Sequence, residues 1–156
     1  TSMDDERWMD RALEEAEAAF ARGDWPVAAV LVREGHEIGV GSNRQVTGRD
    51  VTRHAETEAI RDASARLGTA DLSGSVMYCT MECCPMCAFA VKLAGVKRVV
   101  LGLRHADLKR MDLGSYSIES FAQMMDWPLQ LVTGVRHAAC GEIRRRWAKD
   151  KVAKAP

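Results

Sequence analysis

Two periods of apolar residues run along the chain and divide it into helices and strands. From Asp4 to Ala21, Trp8, Leu13, Ala16 and Phe20 fall on one helical face. Asp4 or Asp5 is the expected cap of this helix, and Gly23 its stop. Val27 to Val32 is an apolar run of strand length. The turn Glu34-Gly35-His36 and a second strand, Glu37 to Val40, make it a hairpin. A polar loop from Gly41 to Thr52 leads to a helix over His54 to Leu67. Val76 to Thr80 reads as a strand, and Pro85 to Ala94 as a helix that starts on its proline. Val96 to Leu101 is a further buried strand. A helix over Ile118 to Met125, a strand over Leu129 to Thr133 and a helix over His137 to Ala148 complete the pattern. Strands interleaved with helices predict an α/β fold, a three-layer α/β/α sandwich.

Composition narrows this picture. The chain of 156 residues suits one domain spanning 1–156. With 47% hydrophobic and 28% charged residues it is ordinary globular material, which excludes a disordered chain. The formal net charge is zero, so any grip on a polyanion has to come from a local patch. One candidate patch is the stretch from Arg136 onward, with seven basic residues against two acidic ones. No apolar run approaches the roughly 20 residues of a membrane span. The first residues are acidic and polar, unlike a signal peptide, and Thr1-Ser2 read as an expression remnant. A cytoplasmic protein is expected, and disulfides are disfavoured there. The five cysteines then read as ligands, catalysts or buried thiols.

Three of those cysteines crowd into Thr80-Met81-Glu82-Cys83-Cys84-Pro85-Met86-Cys87. Cys84-Pro85-Met86-Cys87 alone is compatible with a zinc knuckle, a redox pair or chance. No second C-x-x-C and no pair of closely spaced histidines completes a four-ligand structural site. His54, in His54-Ala55-Glu56, offers a third ligand. Three protein ligands leave one tetrahedral position open, as in a catalytic zinc site. Both motif halves sit at predicted helix starts, where the backbone dipole favours thiolate charge. Glu56 is near enough to act on a zinc-activated water without being a ligand.

H-x-E followed by P-C-x-x-C is the zinc deaminase signature. The chain resembles the cytidine deaminase-like superfamily, on the branch of guanine deaminases, fungal-type cytosine deaminases and tRNA adenosine deaminases. The resemblance runs from about Trp25 to Val100, and more weakly beyond. Two departures stand out: Cys83 occupies a position where the family has proline, and Ala28 one where it has glycine. The resemblance implies a central five-stranded mixed sheet and a homodimer. It also implies one Zn2+ per subunit on His54, Cys84 and Cys87, with Glu56 as proton shuttle. Asn43 and the backbone N–H of Ala55 would contact the substrate ring, and Trp25 and Met81 would line its pocket. His105-Ala106-Asp107 is similar to a His-Thr-Asp segment of bacterial guanine deaminases, where Asp107 would suit a ring N–H. Trp147 could lie over the pocket as a lid. Cys79, Cys83 and Cys140 are expected to be buried thiols, and Arg53 a surface or interface residue.

The expected enzyme is a zinc-dependent hydrolase that releases ammonia from a small-molecule amino-heterocycle, with guanine or cytosine as leading free bases. The alternative is a tRNA adenosine deaminase acting on an anticodon loop. The segment Arg104 to Asp112 lacks the glycine- and alanine-rich character of bacterial tRNA enzymes, and the net charge is zero. Both points favour the free base over nucleic acid.

Overall fold

The computed structural model describes residues 2–110 and 112–154; Thr1 of the expected remnant lies outside them. Helix α1 runs Met3–Arg22. Ser2, not Asp4 or Asp5, caps it, its Oγ accepting from the Asp5 N–H at 3.0 Å. Asp5 turns inward instead and accepts two bonds from the Arg98 guanidinium, at 3.0 and 2.9 Å, and one from the Tyr78 hydroxyl at 2.9 Å. The buried face is Met9, Ala12, Ala16 and Ala19, with Trp8, Leu13 and Phe20 flanking it. The stripe is rotated from the expected one because small alanines, not the larger residues, let the helix lie close on the sheet.

Strands β1 (Ala28–Arg33) and β2 (His36–Ser42) form the expected hairpin. Glu34 and Gly35 both take positive φ, 53° and 76°, which suits the twist of a two-residue hairpin turn. Then follow α2 (Ala55–Leu67), β3 (Val76–Met81), α3 (Pro85–Leu93) and β4 (Arg98–Leu103). An unanticipated 3-10 turn (His105–Leu108), α4 (Ile118–Met124), β5 (Gln130–Val132) and α5 (His137–Ala153) complete the chain. β4 begins two residues later than the apolar run suggests. Val96 is buried, but its N–H bonds to the Val91 carbonyl and closes α3 rather than entering the sheet. α5 runs past Ala148, and a Lys154–Asp150 pair at 3.1 Å supports its last turn.

The sheet is five-stranded and mixed, in the order β2-β1-β3-β4-β5. β1 is antiparallel to both neighbours; β3, β4 and β5 are parallel. Alternate residues serve opposite layers, as strand geometry requires. Leu31, Met77, Val99 and Leu101 pack with α2, α3 and α4; Val30, Tyr78 and Val100 pack with α1 and α5. This is the expected three-layer α/β/α sandwich. Each fully buried valine or leucine contributes about 1.5–3 kcal/mol. No helix among the described residues is long and apolar enough to cross a membrane.

Two glycines set how closely the helices approach. A Cβ on Gly41 of β2 would lie 2.4 Å from the Ala55 carbonyl oxygen and 2.4 Å from the Ala59 nitrogen. The start of α2 therefore rests directly on β2. A Cβ on Gly102 of β4 would lie 2.4 Å from the Cys140 sulfur, so α5 is seated on β4 at that point.

Candidate active site

The chain leaves β3 at Met81 and turns through Glu82 and Cys83 to Cys84, the N-cap of α3. His54 is the N-cap of α2. Neither cap makes a side-chain capping bond, so both side chains are available at the positive ends of two helices. His54 Nδ1 stands 3.5 Å from Cys84 Sγ and 3.5 Å from Cys87 Sγ. The three ligand atoms lie within 4.8 Å of one another, and they are the one such His/Cys/Asp/Glu group among the described residues. Zinc bonded to sulfur at about 2.3 Å and to nitrogen at about 2.05 Å in a tetrahedron separates the two by about 3.6 Å. The observed spacing fits that ion.

The electrostatics agree. The hydrogen bond from Cys87 pulls the Cys84 thiol down to about 4; burial opposes this and His54 adds to it. Cys87 is pushed up in return, first by the bond to Cys84 and then by burial. The pair shares one proton between two sulfurs, and a metal would replace it. His54 is raised, chiefly by its bond to Cys84. Burial pushes the Glu56 carboxyl up to about 7, against an opposing bond from Cys87. Glu56 is buried in the first turn of α2, and it is not one of the three converging ligands.

A cavity of about 240 Å³ opens over this cluster. Its wall includes His54, Glu56, Asn43, Ala55, Trp25 and Met81, so most of the expected site residues meet in one place. Asn43 is buried and already engaged: its amide donates to Gln45 Oε1 at 2.7 Å, and its oxygen accepts from the Gln45 N–H at 3.1 Å. One amide proton and one oxygen lone pair remain unused. The Arg22–Asp24 pair holds this loop in place. Arg22 donates to the Asn43 carbonyl at 2.9 Å, and Asp24 accepts from Thr47 Oγ1 at 2.7 Å.

Asp107 is not in the cavity wall. It is exposed, and one oxygen accepts from the Arg104 N–H at 2.8 Å and faces His137 Nε2 at 3.1 Å. The 3-10 turn spanning His105–Leu108 directs it outward, which a sequence without that turn does not reveal. His105 does line the cavity, yet its contacts are structural: Nε2 faces the Cys83 carbonyl at 3.2 Å, and Tyr116 Oη donates to the same carbonyl at 2.6 Å. The peptide just before Cys84 is thereby clamped. Glu82 also borders the cavity, with its oxygens taken by Arg104 Nε (2.7 Å), His105 N (3.0 Å) and Ile118 N (3.0 Å). Burial raises this carboxyl and those bonds outweigh it, leaving it below the ordinary range.

Cys83 is fully buried with Cys79, sulfur to sulfur at 3.9 Å. That bond and burial push its thiol well up, so it stays neutral and does not join the metal cluster. The Cys83 side chain fills core space where the family has proline. Arg53 pairs with Glu58 at 2.8 Å, away from the cavity. Trp147 packs on Trp25 with ring centroids 5.7 Å apart and does not itself line the cavity, so it is not the expected lid.

Residues 2–103 match the family described as the cytidine and deoxycytidylate deaminase zinc-binding region. The chain belongs to this family. It is a zinc-dependent hydrolytic deaminase of the cytidine deaminase-like superfamily. The deaminase is 36% identical to the tRNA-specific adenosine deaminase of Bacillus subtilis (strain 168) over 137 residues, 88% of this chain and 84% of that one. Among solved structures, one from a study of A-to-I editing by tRNA:A34 deaminases at the wobble position superposes with TM-score 0.75 and 33% identity, covering 88% of this chain and 98% of the other. The guanine deaminase from Nitrosomonas europaea superposes with TM-score 0.80 and 31% identity, covering 92% and 84%.

These likenesses correct the expected substrate and partner. Several curated relatives, at 30% to 40% identity, are tRNA-specific adenosine deaminases. The free-base reading rested on net charge and on the composition of Arg104 to Asp112, and both are averages. The deaminase puts Arg110 from that segment and Arg144 from α5 on the cavity wall. Sequence reasoning missed both. Arg110 lies in a short loop without a motif, and Arg144 is one of three consecutive arginines that nothing local distinguishes.

Proposed function

We propose that this deaminase acts on an adenosine in a tRNA anticodon loop, converting it to inosine with release of ammonia. The observation that carries this reading is the likeness to tRNA-specific adenosine deaminases, 36% identical over 88% of the chain in the Bacillus subtilis case. The cavity supports it. At about 240 Å³ it lies below the roughly 300–1,000 Å³ of ordinary small-molecule pockets. It suits one extruded base, with sugar and phosphate left outside.

His54, Cys84 and Cys87 are the residues that would hold zinc. Bound zinc supplies a water of lowered pKa as nucleophile. A Glu56 carboxylate oxygen takes a proton from the attacking water and delivers it to the departing amine nitrogen at C6 of the base. Ala55 sits at the first position of α2, where its N–H has no partner within the helix; it donates to a ring nitrogen of the adenine. Asn43 uses its remaining amide proton or lone pair to orient the base. Trp25 and Met81 provide apolar walls that exclude water.

The test is inosine formation by zinc-loaded protein, read by chromatography of digested RNA. The panel holds an unmodified tRNA, its anticodon stem-loop, free adenosine, guanine and cytosine. Inosine in the RNAs is the expected result. Turnover of a free base with untouched RNA would sink the proposal. The expected homodimer finds support on α3, where Met86, Phe89 and Leu93 form an exposed apolar stripe. Sedimentation velocity should give twice the 17.2 kDa chain mass.

A further inference from the structure

The basic stretch from Arg136 onward is mostly neutralised within the fold. Arg136 pairs with Asp10 at 2.9 Å, Arg145 with Glu142 at 2.8 Å, Arg146 with Glu17 at 2.6 Å and Lys154 with Asp150 at 3.1 Å. Arg144 differs from its neighbours. Among the described residues no carboxylate pairs with it, and no protein acceptor takes any of its N–H groups. It is partly buried and lines the cavity. Its guanidinium lies 4.4 Å from the centroid of the Trp147 ring, and Trp147 in turn rests on Trp25. An aromatic face holds the group in position while leaving its hydrogen-bond donors unused.

A second guanidinium shares the same wall. Arg110 lines the cavity, and its one carboxylate partner is Asp112, bonded to Nε at 3.0 Å and to Nη2 at 2.5 Å. Arg110 is close enough to Arg144 for the two charges to repel. Burial and this repulsion both disfavour the Arg144 charge where it sits. Two like charges are thus kept at a small cavity, and the one carboxylate that pairs with either of them, Asp112, is exposed and bonded to Arg110 alone. An anion lodged between them would relieve both costs, and guanidinium geometry matches the two oxygens of a phosphate.

We infer that Arg144 and Arg110 form a clamp for a backbone phosphate adjoining the nucleotide whose base enters the cavity. This rests on the RNA reading above and specifies how that RNA is held. The clamp adds a contact that a free nucleoside cannot make, so it also selects nucleic acid over nucleosides. Arg144 acts by positioning; it takes no part in proton transfer.

A binding cycle tests it without using turnover. Zinc-loaded Glu56→Ala protein, with Arg144 intact or changed to Ala or Lys, is titrated with a fluorescent anticodon stem-loop. Each protein is also titrated with versions carrying a neutral methylphosphonate at the phosphate 5′ or 3′ of the target adenosine. Arg144→Ala should weaken binding of the native RNA about ten-fold, and Arg144→Lys less. One methylphosphonate should weaken the intact protein by a similar factor and have no further effect on Arg144→Ala. Circular dichroism and zinc content should be unchanged. Additive losses, or no loss with Arg144→Ala, would overturn the clamp even if wild-type protein makes inosine. A coupled cycle without inosine from the wild type would leave the clamp standing and sink the reaction. Failure to bind any RNA would overturn both.

Discussion

The floor and the rim of the cavity are built in different ways. The floor consists of two helix starts, His54 on α2 and Cys84 on α3, and its side chains come from two short motifs. Backbone contacts seat it: the start of α2 touches β2 at Gly41, where a Cβ would meet the Ala55 and Ala59 main chain first. The rim consists of Arg110 and Arg144, from a loop after β4 and from α5. A side chain, Cys140 against Gly102, seats α5, and exposed ion pairs such as Arg146–Glu17 add to it. A floor that must hold a metal to within a few tenths of an ångström is built on rigid backbone. A rim that holds an extended ligand tolerates softer support.

This contrast can be broken or sharpened by substitution. The largest effect is expected at the floor. His54→Ala should lose both zinc and turnover, whereas Glu56→Gln should keep zinc, measured by metal analysis, while kcat falls by about 10²–10⁴. Equal zinc loss in both would deny Glu56 its separate role. Gly41→Ala comes next, because a methyl group would meet backbone atoms that cannot rotate away. A cost of about 3 kcal/mol in urea unfolding, with reduced zinc occupancy, is expected.

Asp5→Asn removes the buried anchor between α1 and β4 and should cost about 2 kcal/mol. The wild-type carboxyl is lowered from its ordinary 3.8, first by the Arg98 bond. Its contribution is therefore full above that value and disappears as pH falls through the lower folded value. Stability curves of the two proteins should converge in strong acid, separate as pH rises toward about 4 and run parallel above it; a constant gap across pH would refute the assignment.

At the rim the effects should be smaller. Gly102→Ala meets the buried Cys140 side chain and, at 3.0 Å, the Thr80 carbonyl oxygen, so about 1–2 kcal/mol is expected, with Cys140→Ala restoring part of it in the double variant. Arg146→Ala should change stability by less than about 0.5 kcal/mol, since its pair with Glu17 is exposed. A larger loss would show that the surface pairs, not the Gly102 contact, hold α5 down.

Local features account for what could be read ahead of the structure. The alternation of periods marked the strands and helices, because a period of two or of 3.6 is a property of neighbouring residues. His54-Ala55-Glu56 and Cys84-Pro85-Met86-Cys87 were legible for the same reason, since both are helix starts with short fixed spacing. Boundaries failed where a long-range partner decided them, as at Val96, which closes α3. Ser2 took the cap of α1 because Asp5 found Arg98 and Tyr78, residues far along the chain. Cys83 is the buried thiol expected of it, although only its packing against Cys79 shows what buries it.

By itself, then, the order of residues determined the succession of strands and helices, the two metal-ligand motifs and the nearby carboxylate, because each is written in a pattern of neighbouring residues. The three-dimensional packing alone decided which of three consecutive arginines faces the cavity, that Asp107 turns away from it, and that Arg110 joins Arg144 at its rim. Those outcomes depend on where α5 comes to rest on β4, and a close approach between Gly102 and Cys140 leaves no local trace in the sequence.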